Sequence, residues 1–212
     1  MDLSSSRADM TSKHLADRVD ELRSALRFQD PSLIAARSGV HYHPSGADRG
    51  ELHVPLWGKT CIFSWPDLIG SGEPNEPLPD FQQALLLYYL RTADGTPLAE
   101  NWISFAELPD GRMYNTAFQG YTGDELVKTF SLDLETFKKA CDRTGGQKAA
   151  IGSAAFIFNA LPRIPMMVTY WLGDEDFPSS CKILFDASVP HYLPTDACAI
   201  LGSMLTRKLL RH

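Results

Sequence analysis

Apolar positions along the chain follow two rhythms. Leu15, Val19, Leu22 and Leu26 recur at three- and four-residue intervals with charges between them, which predicts an amphipathic helix from about Ser12, after a loose polar tail over residues 1–11. "DPSLIAARSG", residues 30–39, predicts a shorter helix with Asp30 as cap, Pro31 in the first turn and Gly39 at the stop. "DFQQALLLYYLRTADG", residues 80–95, predicts a core helix capped by Asp80, because Ala84, Leu85, Leu87, Tyr88 and Leu90 leave little polar surface. Two further helices are expected over 120–146, the first opened by a capping box from Thr122 to Glu125, the second closed by Gly145-Gly146. "LPTDACAILGSMLTRKLLRH" predicts a last amphipathic helix capped by Thr195, with Arg207, Lys208 and Arg211 near the negative end of its dipole.

The shorter rhythm predicts strands. "ELHVPLW" and "TCIFSW" flank Gly58-Lys59, read as a two-residue hairpin turn, with Pro55 at an edge or bulge. "NWISFAELPDGRMY" reads as strand, turn and strand about Asp110-Gly111; "MMVTYWL" and "CKILFD" read as strands, and the segment up to Asn159 as a short helix or strand. "SGEPNEPLPD", residues 71–80, is a Pro- and Gly-rich surface loop, expected to be the most mobile segment. The elements lack a steady βαβ alternation. The expected class is therefore α+β, a mixed or antiparallel sheet packed by helices, in a single domain over 12–212.

Composition narrows the function classes. Hydrophobic residues at 44% and charged residues at 22% suit a chain that buries a core. A net charge of −6, with no basic run interleaved with aromatics, argues against a nucleic-acid surface. The apolar tract Ala149 to Leu172 has the length of a membrane span, but Pro162, Arg163 and Pro165 interrupt it, so buried structure is expected instead. The N-terminal stretch shows no secretory pattern, and a cytoplasmic location is expected. Cys61, Cys141, Cys181 and Cys198 form no C-x-x-C pair, which predicts buried thiols rather than zinc or iron–sulfur ligands. Common nucleotide, zinc-protease and hydrolase motifs are absent.

Candidate chemistry gathers at three places. In "YWLGDEDFPSSCKILFD", Asp174, Glu175 and Asp176 are adjacent carboxylates that repel unless solvent, a cation or a basic partner screens them. They read either as a metal site, with Asp186 as a further ligand and Trp171 and Phe177 as a wall, or as the solvated end of a hairpin. In "VHYHPSG", His41 and His43 share a face if extended, and suit a transition metal or the axial position of a tetrapyrrole, with His191 as a distant third ligand; surface histidines are the plainer reading. In "LPRIP", Arg163 stands in an apolar run and needs a partner: one of Asp174, Glu175, Asp176 or Asp186, or a bound anion.

"NWISFAELPDGRMY", "LPRIP" and "WLGDEDFPSSCKILFDASVPHYLP" together resemble a family of unknown function found mainly in anaerobic bacteria and archaea. Some of its members carry an iron–sulfur label because a cysteine-rich segment precedes the shared domain. Residues 1–40 of this chain contain no cysteine, so that label is not carried over. The resemblance implies a setting rich in corrinoid and one-carbon chemistry. The leading expectation is a small cytoplasmic binding or accessory protein for a metal-containing or aromatic cofactor, with corrinoid or haem as the first guess and no iron–sulfur cluster. The alternatives are a metal-assisted hydrolase or transferase using the Asp174-Glu175-Asp176 cluster, and a protein–protein interaction module using the N-terminal helix or the proline-rich loop. Neither nucleic acid nor a membrane is an expected partner.

Overall fold

A computed structural model describes residues 3–72 and 75–211, with side chains from Leu15 onward. The chain divides into two compact units, Met1–Thr96 and Pro97–His212. Each combines helices with an antiparallel five-stranded sheet, so the α+β class and the antiparallel pairing are as the sequence indicates, with two sheets where one was expected.

In the first unit, α1 (Leu3–Leu26) begins well before Ser12 and takes in most of the expected tail; Arg7, Ala8, Met10 and Lys13 are good helix formers. Its stripe is a packing face, with Val19, Leu22 and Leu26 buried. α2 (Pro31–Ser38) is capped as expected, the Asp30 carboxylate accepting from the Ser32 N–H at 2.8 Å and Gly39 closing the helix in the left-handed region. α3 (Asp80–Thr92) packs on α1. Its cap is Pro79; Asp80 makes no capping bond and lies in the first turn, where its charge still suits the dipole.

Polar side chains lock these helices together. The Arg23 guanidinium donates to Gln83 Oε1 at 2.6 Å and to the Leu68 carbonyl at 3.1 Å, while Gln83 Nε2 donates to the Leu78 carbonyl at 2.8 Å. Arg18 lies over the Tyr88 ring at 4.9 Å and donates to its hydroxyl.

The first sheet runs in chain order: β1 (His41–Pro44), β2 (Gly50–Leu56), β3 (Lys59–Trp65), β4 (Gly70–Gly72) and β5 (Glu76–Pro77). The β2–β3 turn is Trp57-Gly58, one residue earlier than read. Both residues have positive φ, 52° and 77°, which matches the twist of a two-residue hairpin. Leu52, Val54, Cys61 and Phe63 face the core. β1 pairs only with Gly50–His53, so Pro55 meets an open edge, where its missing N–H costs no ladder bond. β4 and β5 occupy part of the expected 71–80 loop; residues 73 and 74 of that loop lie outside the described residues.

The second unit has strand order β6 (Trp102–Ser104), β10 (Ser180–Asp186), β9 (Ile164–Trp171), β8 (Ala154–Leu161) and β7 (Gln147–Ala149). The apolar tract that resembles a membrane span is thus β8, a turn and β9, and among the described residues no helix is long and apolar enough to cross a membrane. One face of this sheet carries Phe156, Tyr170 and Phe185. Phe137 of α6 (Leu134–Arg143) packs on Phe156 and Tyr170 at ring-centroid distances of 6.1 and 4.8 Å. The four cysteines are buried and free, and burial pushes the Cys198 thiol up to about 12.

"NWISFAELPDGRMY" is not a hairpin. After β6, Glu107 Oε2 accepts from both the Ser104 N–H and its hydroxyl, each at 2.7 Å, which winds Phe105–Glu107 into a 3-10 turn. Asp110 then opens α4 (Gly111–Tyr121) from a left-handed conformation, φ 56°, a region Asp tolerates better than most residues. α5 (Gly123–Phe130) follows without the expected capping box, because the Thr122 hydroxyl donates back to the Phe118 carbonyl. Thr195 likewise does not cap α7 (Thr195–Leu210); its hydroxyl donates to the Pro109 carbonyl at 2.5 Å and ties the approach to α4 to the start of α7.

Gly202 allows α7 to approach α4 closely: a Cβ there would lie 2.5 Å from Phe118 Cε2. Substituting Gly202→Val should cost about 1–3 kcal/mol through overpacking, read as a lowered urea midpoint, whereas the same change at Gly46, where a Cβ meets nothing within 4 Å, should cost less. Asp186, buried at the end of β10, accepts from the Ala99 and Ser188 N–H groups at 2.9 Å each and anchors the segment entering β6. Burial by itself raises its pKa; the hydrogen bonds from Ser188, Ala99 and Glu100 outweigh it and hold the carboxyl below its ordinary value. Its contribution is therefore present above the unfolded-state value of about 3.9 and lost as pH falls through the lower folded value. Asp186→Asn should cost roughly 1–3 kcal/mol at neutral pH, and the gap between wild type and variant in thermal melts should narrow towards acid.

Candidate functional site

The acidic stretch is the end of the β9–β10 hairpin. Asp174 Oδ1 accepts from the N–H groups of Asp176 and Phe177 at 3.0 and 2.8 Å, and the Asp174 N–H donates to the Phe177 carbonyl at 2.9 Å. The Asp174 side chain therefore organises a tight turn. The Gly173 N–H donates to Ser179 Oγ at 2.9 Å and closes the loop base.

Asp186 does not join these acids. It lies six residues beyond Ser180 along β10, about 20 Å away at strand rise, with its Oδ1 turned to backbone N–H groups. Arg163 is half-buried in the β8–β9 turn. The whole of β9, about 25 Å of strand, separates it from Asp174, Glu175 and Asp176. The acidic stretch is therefore not there to satisfy Arg163. Phe177 and Trp171 stand 72% and 48% exposed beside the hairpin end. Phe177, Asp174, Glu175 and Leu132 border a shallow depression of about 510 Å³, and Trp171 is not among its lining residues. Among the described residues no three His, Cys, Asp or Glu side chains are placed to hold a metal ion.

The candidate histidines belong to different units. His41 and His43 lie on β1 in the first unit, and exposed His191 in a 3-10 turn (Val189–His191) of the second. The neighbour of His43 is instead His53 of β2, at a ring-centroid distance of 4.3 Å. The antiparallel register sets His41 opposite His53 and His43 opposite Glu51. His53 escaped the sequence reading because register, not spacing, brings it there.

A second, larger concavity in this unit was not anticipated from the sequence. It is a groove of about 710 Å³ lined by α4, the 3-10 turns at Phe105 and Pro190, and the first turns of α7. Tyr114, Ala117 and Tyr121 reach it from one face of α4, at helical spacing. Phe105 forms part of its wall and is held by stacking on Phe118, with ring centroids 4.1 Å apart and planes within 9°. Pro109, Pro190 and Pro194 stiffen the rim, and Asp110 and Asp196 supply carboxylates. Burial raises the Tyr121 phenol pKa, so its hydroxyl stays protonated and able to donate. The lining residues include no imidazole, thiol, thioether or basic side chain, and the Thr195 hydroxyl already donates to Pro109. The arrangement suits reversible binding and offers no nucleophile–base pair. Reading 112–114 as a strand hid it, because that reading does not place Tyr114 and Tyr121 on one helical face.

No curated protein and no solved structure matches the chain significantly. A family profile matches residues 30–208, spanning both units. The chain belongs to the family described as Domain of unknown function (DUF3786).

Proposed function

We propose that this protein binds a small aromatic molecule in the groove between α4 and α7. The groove itself carries the reading. Its volume of about 710 Å³ falls among small-molecule sites, and three aromatic rings, three prolines and two carboxylates line it without an opposing Lys or Arg. That lining favours a flat ring system bearing a positive charge or N–H donors, stacked against tyrosine and held at the rim by Asp110 or Asp196. A haem or corrinoid bound here would find no imidazole, thiolate or thioether ligand among the lining residues, only the phenols of Tyr114 and Tyr121, and burial disfavours the phenolate of Tyr121. The aromatic half of the cofactor expectation therefore fits better than the metal-containing half.

Proflavine, a planar tricyclic cation, and fluorescein, a tricyclic anion of similar size, test both the shape and the charge. Fluorescence titration should show saturable binding of proflavine at one site and much weaker binding of fluorescein. Tyr114→Ala should weaken proflavine roughly three- to tenfold through lost ring contact, and Asp196→Asn should reduce the preference for the cation. Absence of saturable binding, or affinity unchanged in both variants, would overturn the proposal.

A further inference from the structure

The outward face of the first sheet carries a cluster that the groove reading does not use. β2 alternates strictly, with Leu52 and Val54 buried and Glu51 and His53 turned outward. On β1 the outward positions are His41 and His43, both exposed. Directly opposed residues in an antiparallel pair share a face, so the pairings His41↔His53 and His43↔Glu51 gather three imidazoles and a carboxylate into a two-by-two patch. The rings are already near one another, with centroids 4.3 Å apart for His43–His53 and 6.4 Å apart for His41–His43.

We propose that this patch binds a divalent transition-metal ion, such as Zn²⁺, Ni²⁺ or Cu²⁺, through His41, His43 and His53. Imidazole nitrogen is a preferred donor for these ions, and carboxylate completes many such sites. Glu51 Oε2 lies 2.9 Å from His53 Nε2. A carboxylate accepting there keeps the proton on Nε2 and leaves the Nδ1 lone pair for the metal, the usual outer partner of a ligating histidine. The ligands stand on paired strands, so the backbone fixes their spacing before the ion arrives.

The side chains as placed do not yet converge on one centre. Closing the site takes rotation of side chains rather than movement of the sheet: His41 and His43 are exposed, and His53 keeps 29% of its side-chain surface accessible. Nitrogen donors on a tetrahedral ion stand about 3.3 Å apart given a metal–nitrogen bond near 2.0 Å, within reach of rings on opposed residues of one face.

The test is calorimetric titration of the untagged full chain with ZnCl₂ and NiCl₂, with native mass spectrometry for stoichiometry. One ion per chain is expected. His43→Ala and His53→Ala should each weaken binding by roughly tenfold or more, and Glu51→Gln by about tenfold. Far-ultraviolet circular dichroism should be unchanged in all three, because these side chains lie outside the core. His191→Ala should leave the affinity unaltered. No binding to wild type would overturn the inference, and so would an ion retained at full affinity by the His43→Ala/His53→Ala double variant.

Discussion

The stack of Phe105 on Phe118, seated against Gly202, is the constraint on which the second unit depends. It fixes the 3-10 turn to α4 on one side, while the absence of a Cβ at Gly202 lets α7 approach on the other. Phe185 of β10 lies 6.1 Å from Phe118, which joins the same cluster to the sheet. Tyr114 and Tyr121 stand four residues before and three after Phe118, so helical geometry sets them beside it, the Tyr121 ring edge-on to Phe118 at 5.7 Å, and they and the start of α7 frame the groove. The groove is thus a by-product of how the core closes, and the Thr195–Pro109 hydrogen bond, 2.5 Å long, ties the approach to α4 to the start of α7 beside it.

The acidic hairpin illustrates how placement decides between readings that composition leaves open. Three consecutive carboxylates suggest a cation site, but Asp174 is engaged with two backbone N–H groups and Asp186 anchors a different segment at the other end of β10. Backbone donors stabilise the Asp174 carboxylate through Oδ1, as a cation would. The exposed Phe177 beside it makes the hairpin end a surface feature rather than an apolar wall around buried charge.

Much of the fold was legible because it rests on local rules. The α1 stripe, the Asp30 cap and the Gly39 stop, the strands β9 and β10, and the closing glycines after α6 all follow from periodicity and capping chemistry. The misreadings have equally local causes. Asp110-Gly111 looks like a hairpin turn, but Ser104 donates twice to the Glu107 carboxylate across a 3-10 turn, and the chain runs on into α4. Thr122 and Thr195 carry the right side chain for caps, yet tertiary carbonyls or the preceding helical turn claim their hydroxyls. Of the candidate sites, His41 and His43 were visible as an alternating pair, but their neighbour His53 depends on strand register, which no spacing rule within β1 reveals. The groove was hidden for the same reason: its walls come from segments about eighty residues apart in the sequence.

Methyl chemical-shift mapping by NMR tests the central claim most directly, with Ala117, Thr195 and Ala199 as reporters inside the groove and Val54 and Val168 as buried references. On adding a planar aromatic cation, the account predicts saturable shifts in the groove methyls, through ring currents, with the references unmoved. Shifts confined to other surfaces, or none at saturating ligand, would contradict it.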